Sequence, residues 1–195
     1  MFANTSGTSN VALGKSALAA NTTASNNTAI GSSALTANTT GNDHVAIGTS
    51  CLNANTTGAA HTAVGFEALT SNTTANDNSA FGYRSLKLNT TGTFNTGIGS
   101  QALEANTTAS NNTAVGHKSL EANTTGAENT ALGALALTTA TTASFNTAIG
   151  RSALKLNTTG ANNVAVGKDA LLSNTTGASN TAVGTNALST VSVAP

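Results

Sequence analysis

The sequence predicts an all-β protein, a parallel β-solenoid of about eleven coils with 17 residues each. Three observations carry that expectation. First, a glycine returns every 17 residues, at Gly14, Gly31, Gly48, Gly65, Gly82, Gly99, Gly116, Gly133, Gly150, Gly167 and Gly184. A leucine follows each glycine four positions later, from Leu18 to Leu188, with no insertion or deletion between them. An unbroken period of this length marks a stacked repeat rather than a globular domain. Second, only 7% of the 195 residues are charged and 3% aromatic, with no Trp and one Pro, Pro195. Ordinary domains carry roughly 25% charge, and disordered chains carry more charge and proline than this one. Third, every unit combines glycine, β-branched residues and the Asn-Thr-Thr motif or a close variant, all poor in helix interiors.

The consensus unit is N-T-A-[IVL]-G-x-x-[AS]-L-x-A-N-T-T-[GA]-x-x, as in Asn27 to Asp43. It divides the chain into a partial coil at 1–9, the solenoid at 10–188, and at 189–195 a tail or the start of a following element. Because both ends fall in mid-unit, the chain is expected to be a segment of something longer. Within the unit, Thr28-Ala29-Ile30 reads as a short strand with Thr28 and Ile30 on one face and Ala29 on the other. The bulkier pair is expected to face the core. Gly31 and the two residues after it form a turn, Ala34-Leu35 begins a second short extended piece, and Asn38 to Asp43 turns back.

Stacking places like positions about 4.8 Å apart. The leucines and the strand's third column (Leu13, Ile30, Ile47, Val64, Phe81, Ile98, Val115, Leu132, Ile149, Val166, Val183) would then form a thin core. The Asn of the Asn-Thr-Thr triplet recurs at Asn21, Asn38, Asn55, Asn72, Asn89, Asn106, Asn123, Asn157 and Asn174, interrupted only by Ala140. Stacked amides of this kind hydrogen-bond to their copies above and below. Eleven coils make a rod of roughly 50 Å.

All the charged residues fall at four positions of the unit, the two after the glycine, the one after the leucine and the last. Those positions are expected to meet solvent. The middle strand position never holds charge or bulk: Ala29, Ala46, Ala63, Ala80, Gly97, Ala114, Ala131, Ala148, Ala165 and Ala182 occupy it. With the strand oriented as above, that column lies on the outer surface and is expected to touch sister chains, since a flat exposed strand face otherwise invites uncontrolled pairing. Cys51 replaces an Ala or Ser and is expected to be a small buried residue.

The units resemble the NTAVG/NTAIG-x-x-AL-x-x-NTTG repeats of bacteriophage tail fibres and bacterial surface proteins. More loosely, they resemble the head repeats of trimeric autotransporter adhesins, through Asn163-Val164-Ala165-Val166-Gly167 and Asn10-Val11-Ala12-Leu13-Gly14. The resemblance spans Asn10 to Leu188. It implies a homotrimer of left-handed parallel β-rolls, with the small-residue strand near the threefold axis. It also implies attachment or receptor binding at a virion tail fibre or another extracellular or cell surface. Adhesin head repeats are usually shorter than 17 residues, and this chain carries neither their membrane-anchor barrel nor the self-cleaving chaperone that often follows fibre repeats.

No catalytic motif is present, so the chain is not expected to be an enzyme, and no cofactor is implied. Zero net charge gives no basic face for nucleic acid, and no apolar run approaches the ~18 residues of a membrane span. His44 and His61 share one column and should stack roughly 5 Å apart. They are read as turn substitutions, not as metal ligands. The best exposed binding candidates are Phe66 and Tyr83, in the same position of adjacent units, with Glu67 and Arg84 beside them. Such a pair suits a sugar ring or a receptor side chain. The leading function is therefore a trimeric structural and attachment module, its partners being itself and a host glycan or receptor. The alternative is an ice-binding solenoid, suggested by the Thr columns but opposed by Thr39 and Thr40 pointing to opposite sides.

Overall fold

The structure, a computed structural model, describes residues 3–190. The expected fold is there. Eleven three-residue strands, from β1 (Val11–Leu13) through β2 (Thr28–Ile30) and β6 (Thr96–Ile98) to β11 (Thr181–Val183), form one parallel sheet in strict sequence order. The register advances by one unit per strand: Val11 pairs with Thr28, Ala12 with Ala29 and Leu13 with Ile30. Among the described residues there is no helix. The tail at 191–195 lies outside them.

Each coil contains one strand, not two. The expected second extended piece at Ala34-Leu35 is a tight turn in which Ser33 and Leu35 take φ of 59° and 52°. The whole leucine column, Leu18 to Leu188, adopts this left-handed conformation. For a leucine it costs roughly 1–2 kcal/mol. Burial of the side chain returns about 1.5–3 kcal/mol, and Leu18 through Leu171 are all fully buried. The turn survives because it aims into the coil the largest apolar side chain that the coil buries.

The preceding glycines have a different constraint. Gly99 has φ +131°, and a Cβ built there would lie 2.6 Å from the carbonyl oxygen of Gly116 in the next coil. Backbone touches backbone at this column, so only glycine fits.

Outside the strands the coils are still laddered. Leu35 N–H donates to Cys51 O at 3.0 Å, Ala37 N–H to Asn53 O at 3.1 Å, and Thr39 N–H to Thr56 O at 2.9 Å. The triplet asparagines form the expected buried ladder. Asn55 Nδ2 donates to Asn38 Oδ1 and Asn72 Nδ2 to Asn55 Oδ1, each at 2.9 Å. Each amide also closes its own turn, as Asn38 Nδ2 does on Gly41 O at 2.9 Å. Cys51 is buried in its small-residue column, with its thiol against the carbonyl of Ala63 at 3.1 Å.

The strand, however, faces the other way from expectation. Ala29, Ala46, Ala63, Ala80, Ala114, Ala131, Ala148 and Ala165 are completely buried within the single chain. Ala182 is 5% exposed, and Gly97 is buried in the same column. Covered by their own coils, these residues are not available to sister chains. The column expected in the core is outside instead: Leu13, Ile47, Phe81, Ile98, Leu132 and Val183 are exposed, and the rest half-buried.

The reason is room. A Cβ at Gly97 would sit 2.5 Å from Ser85 Oγ and 3.4 Å from Leu86 Cγ, so the far wall of the coil is only a methyl group away. With leucine already filling the interior from the turn, an isoleucine pointing inward has no space.

Candidate functional site

A solenoid built from near-identical units presents near-identical surface at each step. Any distinctive site must lie where the units differ. None of the charged residues at the four charge-bearing positions is buried, although Ser152, at one of those positions, is, and the charges are most concentrated in the middle of the rod.

There Phe66 and Tyr83 follow the glycines of consecutive coils. The in-register stacking brings their rings together, with centroids 5.7 Å apart and planes within 10°. Each side chain remains 44% exposed. The Arg84 guanidinium carbon lies 5.0 Å from the centre of the Tyr83 ring, a cation–π contact.

Arg84 is held from two sides, by Glu67 (Nε to Oε2, 3.0 Å) and more distantly by Glu104 (3.9 Å). Lys87 adds a second cation to Glu67 at 2.8 Å. That hydrogen bond from Lys87, with Arg84 beside it, holds the Glu67 carboxyl below its usual range. Gln101 Nε2 donates to Glu104 Oε2 at 2.6 Å and reaches Glu121 Oε1 at 3.4 Å. Lys118 closes the chain of contacts on Glu121 at 2.9 Å.

The structure therefore brings together all four residues singled out in the sequence, Phe66, Tyr83, Glu67 and Arg84. It adds Lys87, Gln101 and Glu104, which lie one coil, or one coil plus three residues, from Glu67 and Arg84. Phe81 also lies nearby in sequence, exposed on the strand face two residues before Tyr83.

The two histidines are stacked as expected, 5.2 Å apart and within 7° of parallel. They do not stand at an exposed turn, because both are 1% exposed. They continue a second buried ladder that sequence reasoning missed, formed by the first Asn of each unit. In it, Asn95 Oδ1 accepts from the backbone N–H of Asn112 at 3.0 Å, and Asn95 Nδ2 donates to Ala109 O at 2.8 Å.

The histidine rings substitute atom for atom. His44 Nδ1 accepts from the N–H of His61 and His61 Nδ1 from the N–H of Asn78, while His61 Nε2 donates to Ala75 O at 2.7 Å. The constancy of the leading Asn column was the signal available. Burial, with His61 next in importance, pushes His44 down to about 4, and burial lowers His61 as well.

Among the described residues no three His, Cys, Asp or Glu side chains gather as a metal site, no pocket opens, and no helix is long and apolar enough to cross a membrane. Comparison with protein-family models, curated proteins and solved structures returned no match.

Proposed function

We propose that this chain is a non-enzymatic structural and attachment module, a fibre shaft or head segment that assembles as a homotrimer at a virion tail fibre or cell surface. One observation carries the reading: the outer face of the sheet. The first and third residues of every strand form two parallel columns containing only Thr, Ser, Val, Ile, Leu and Phe. The resulting strip is roughly 50 Å long and free of charge. The third-residue column is wholly apolar, while the first holds Thr or Ser in eight of its eleven places. An exposed, uncharged strip of that length, apolar along one edge, marks an interaction surface. To be covered along its length, the strip needs a partner that repeats at the same pitch, and a second copy of this chain has that pitch by construction.

The expected contact thus moves from the buried alanines to residues such as Ile98, at 41% exposure, and Leu132, at 46%. Native mass measurement of the purified chain is expected to give a trimer. Ile98→Lys with Leu132→Lys should release folded monomer with unchanged far-UV circular dichroism. A folded, monomeric parent chain would overturn the reading.

Ice binding is less well served by these surfaces. From Thr22 to Thr158, the first Thr of the Asn-Thr-Thr triplets spends its hydroxyl on the next coil, as Thr39 Oγ1 does on Thr56 O at 3.0 Å. Only the second, at Thr40 and its equivalents, forms an exposed row in these triplets. A thermal-hysteresis assay separates the two readings.

A further inference from the structure

We infer that the patch around Phe66 and Tyr83 is a binding platform for a neutral, pyranose-based glycan. The inference rests on the attachment reading above, and it names both the place and the ligand class.

The ring pair has no repeat of itself elsewhere. The same column holds Thr49 in the coil before Phe66 and Ser100 in the coil after Tyr83, so no third ring extends the stack in either direction. A pyranose offers a C–H face that packs on such rings, and a rim of hydroxyls that need donors and acceptors together. The patch supplies both within two coils of the rings: carboxylates at Glu67 and Glu104, and cations at Arg84 and Lys87.

These groups are already fixed by one another, at 3.0 Å for Arg84 to Glu67 and 2.8 Å for Lys87 to Glu67. Little side-chain freedom remains to be lost on binding. Two carboxylates against two cations leave the patch without net charge, which disfavours polyanions such as nucleic acid or sulfated chains. The lack of a pocket here fits an extended saccharide lying along the rod rather than an enclosed small molecule.

The test is binding of the full chain to β-glucan, chito-oligosaccharide and galacto-oligosaccharide probes, with a sialylated and a sulfated oligosaccharide beside them, read by calorimetry, alongside the variants Phe66→Ser and Tyr83→Ser. Serine already occupies this column at Ser32 and Ser100, so both variants are expected to keep the fold and the native oligomer mass. Saturable binding to at least one neutral probe is expected, weakened about tenfold or more in each variant. Glu67→Gln should weaken it less, because the rings remain.

Three outcomes would overturn the proposal: no binding at millimolar probe, binding indifferent to both ring variants, or binding confined to sialylated or sulfated glycans. A trimer that binds none of the probes sinks this inference and leaves the fibre reading standing. A monomer that binds through the rings does the reverse.

Discussion

Asn123 Oδ1 is buried without a hydrogen-bond partner, and the cause is one residue in the next coil. Where the ladder needs an amide, position 140 offers a methyl group. Beyond the gap, Asn157 Nδ2 keeps its bond to Gly160 O at 2.9 Å but has no Asn side chain to donate to in the preceding coil. Ala140→Asn supplies the missing donor and acceptor together, and should stabilise the chain by about 1–2 kcal/mol, measured by chemical denaturation. An unchanged midpoint would mean that the site is closed to a longer side chain.

The glycine column gives the opposite prediction. Gly99→Ala adds a Cβ that meets Gly116 O at 2.6 Å in a positive-φ conformation. It should cost about 3 kcal/mol or more on the same measurement.

The histidine pair makes stability depend on pH. Each Nδ1 accepts a backbone N–H, so protonation there destroys a bond as well as burying a charge. The His44 pKa falls from 6.5 to about 4 on folding, so the unfolded chain binds the proton more tightly. Stability is therefore complete above pH 6.5 and is lost as pH falls towards 4, by about 3 kcal/mol for His44 alone. His61 shifts in the same direction. Thermal melts at pH 7.5 and 4.5 should show the loss, and His44→Asn with His61→Asn should remove most of it.

At the scale of the element, the strand shows how much was legible and where reading stopped. Its position, its three-residue length, the parallel register and the coil period all followed from the alternation at Thr28-Ala29-Ile30 and the 17-residue spacing. Its facing did not. Alternation separates two faces but does not say which is inside, and hydrophobicity favoured Ile30. What decides is the width of the coil, set by a left-handed turn at Leu35 that no pattern of apolar residues announces.

The same limit governed the patch. Phe66 over Tyr83 could be read from spacing, whereas the reach of Arg84 towards both Glu67 and Glu104 depends on side-chain directions that spacing leaves open. The corrected facing predicts an asymmetry between neighbours. Ala114→Val overfills the coil and should destabilise it by about 1–3 kcal/mol. Val115→Thr, one residue later and outside the coil, should cost clearly less than Ala114→Val, since it leaves the packing within the coil untouched.

At the scale of the molecule, each strand contacts only the strands before and after it, so stability accumulates along one dimension. Removing 146–162, one full unit, joins two coils whose positions still match. The shortened chain should fold cooperatively, with an unfolding enthalpy reduced in proportion to one coil in eleven. Removing only 146–154 puts glycine beside bulk and amide beside methyl, and should abolish the cooperative transition. Calorimetry distinguishes the two.

The close backbone approach at the glycine column has a consequence for heredity as well. With no slack between coils, the gene tolerates duplication or loss only in whole-coil blocks of codons. The reach of this rod can therefore change by unequal recombination in steps of one coil, while every coil that remains keeps the neighbours it was shaped to meet.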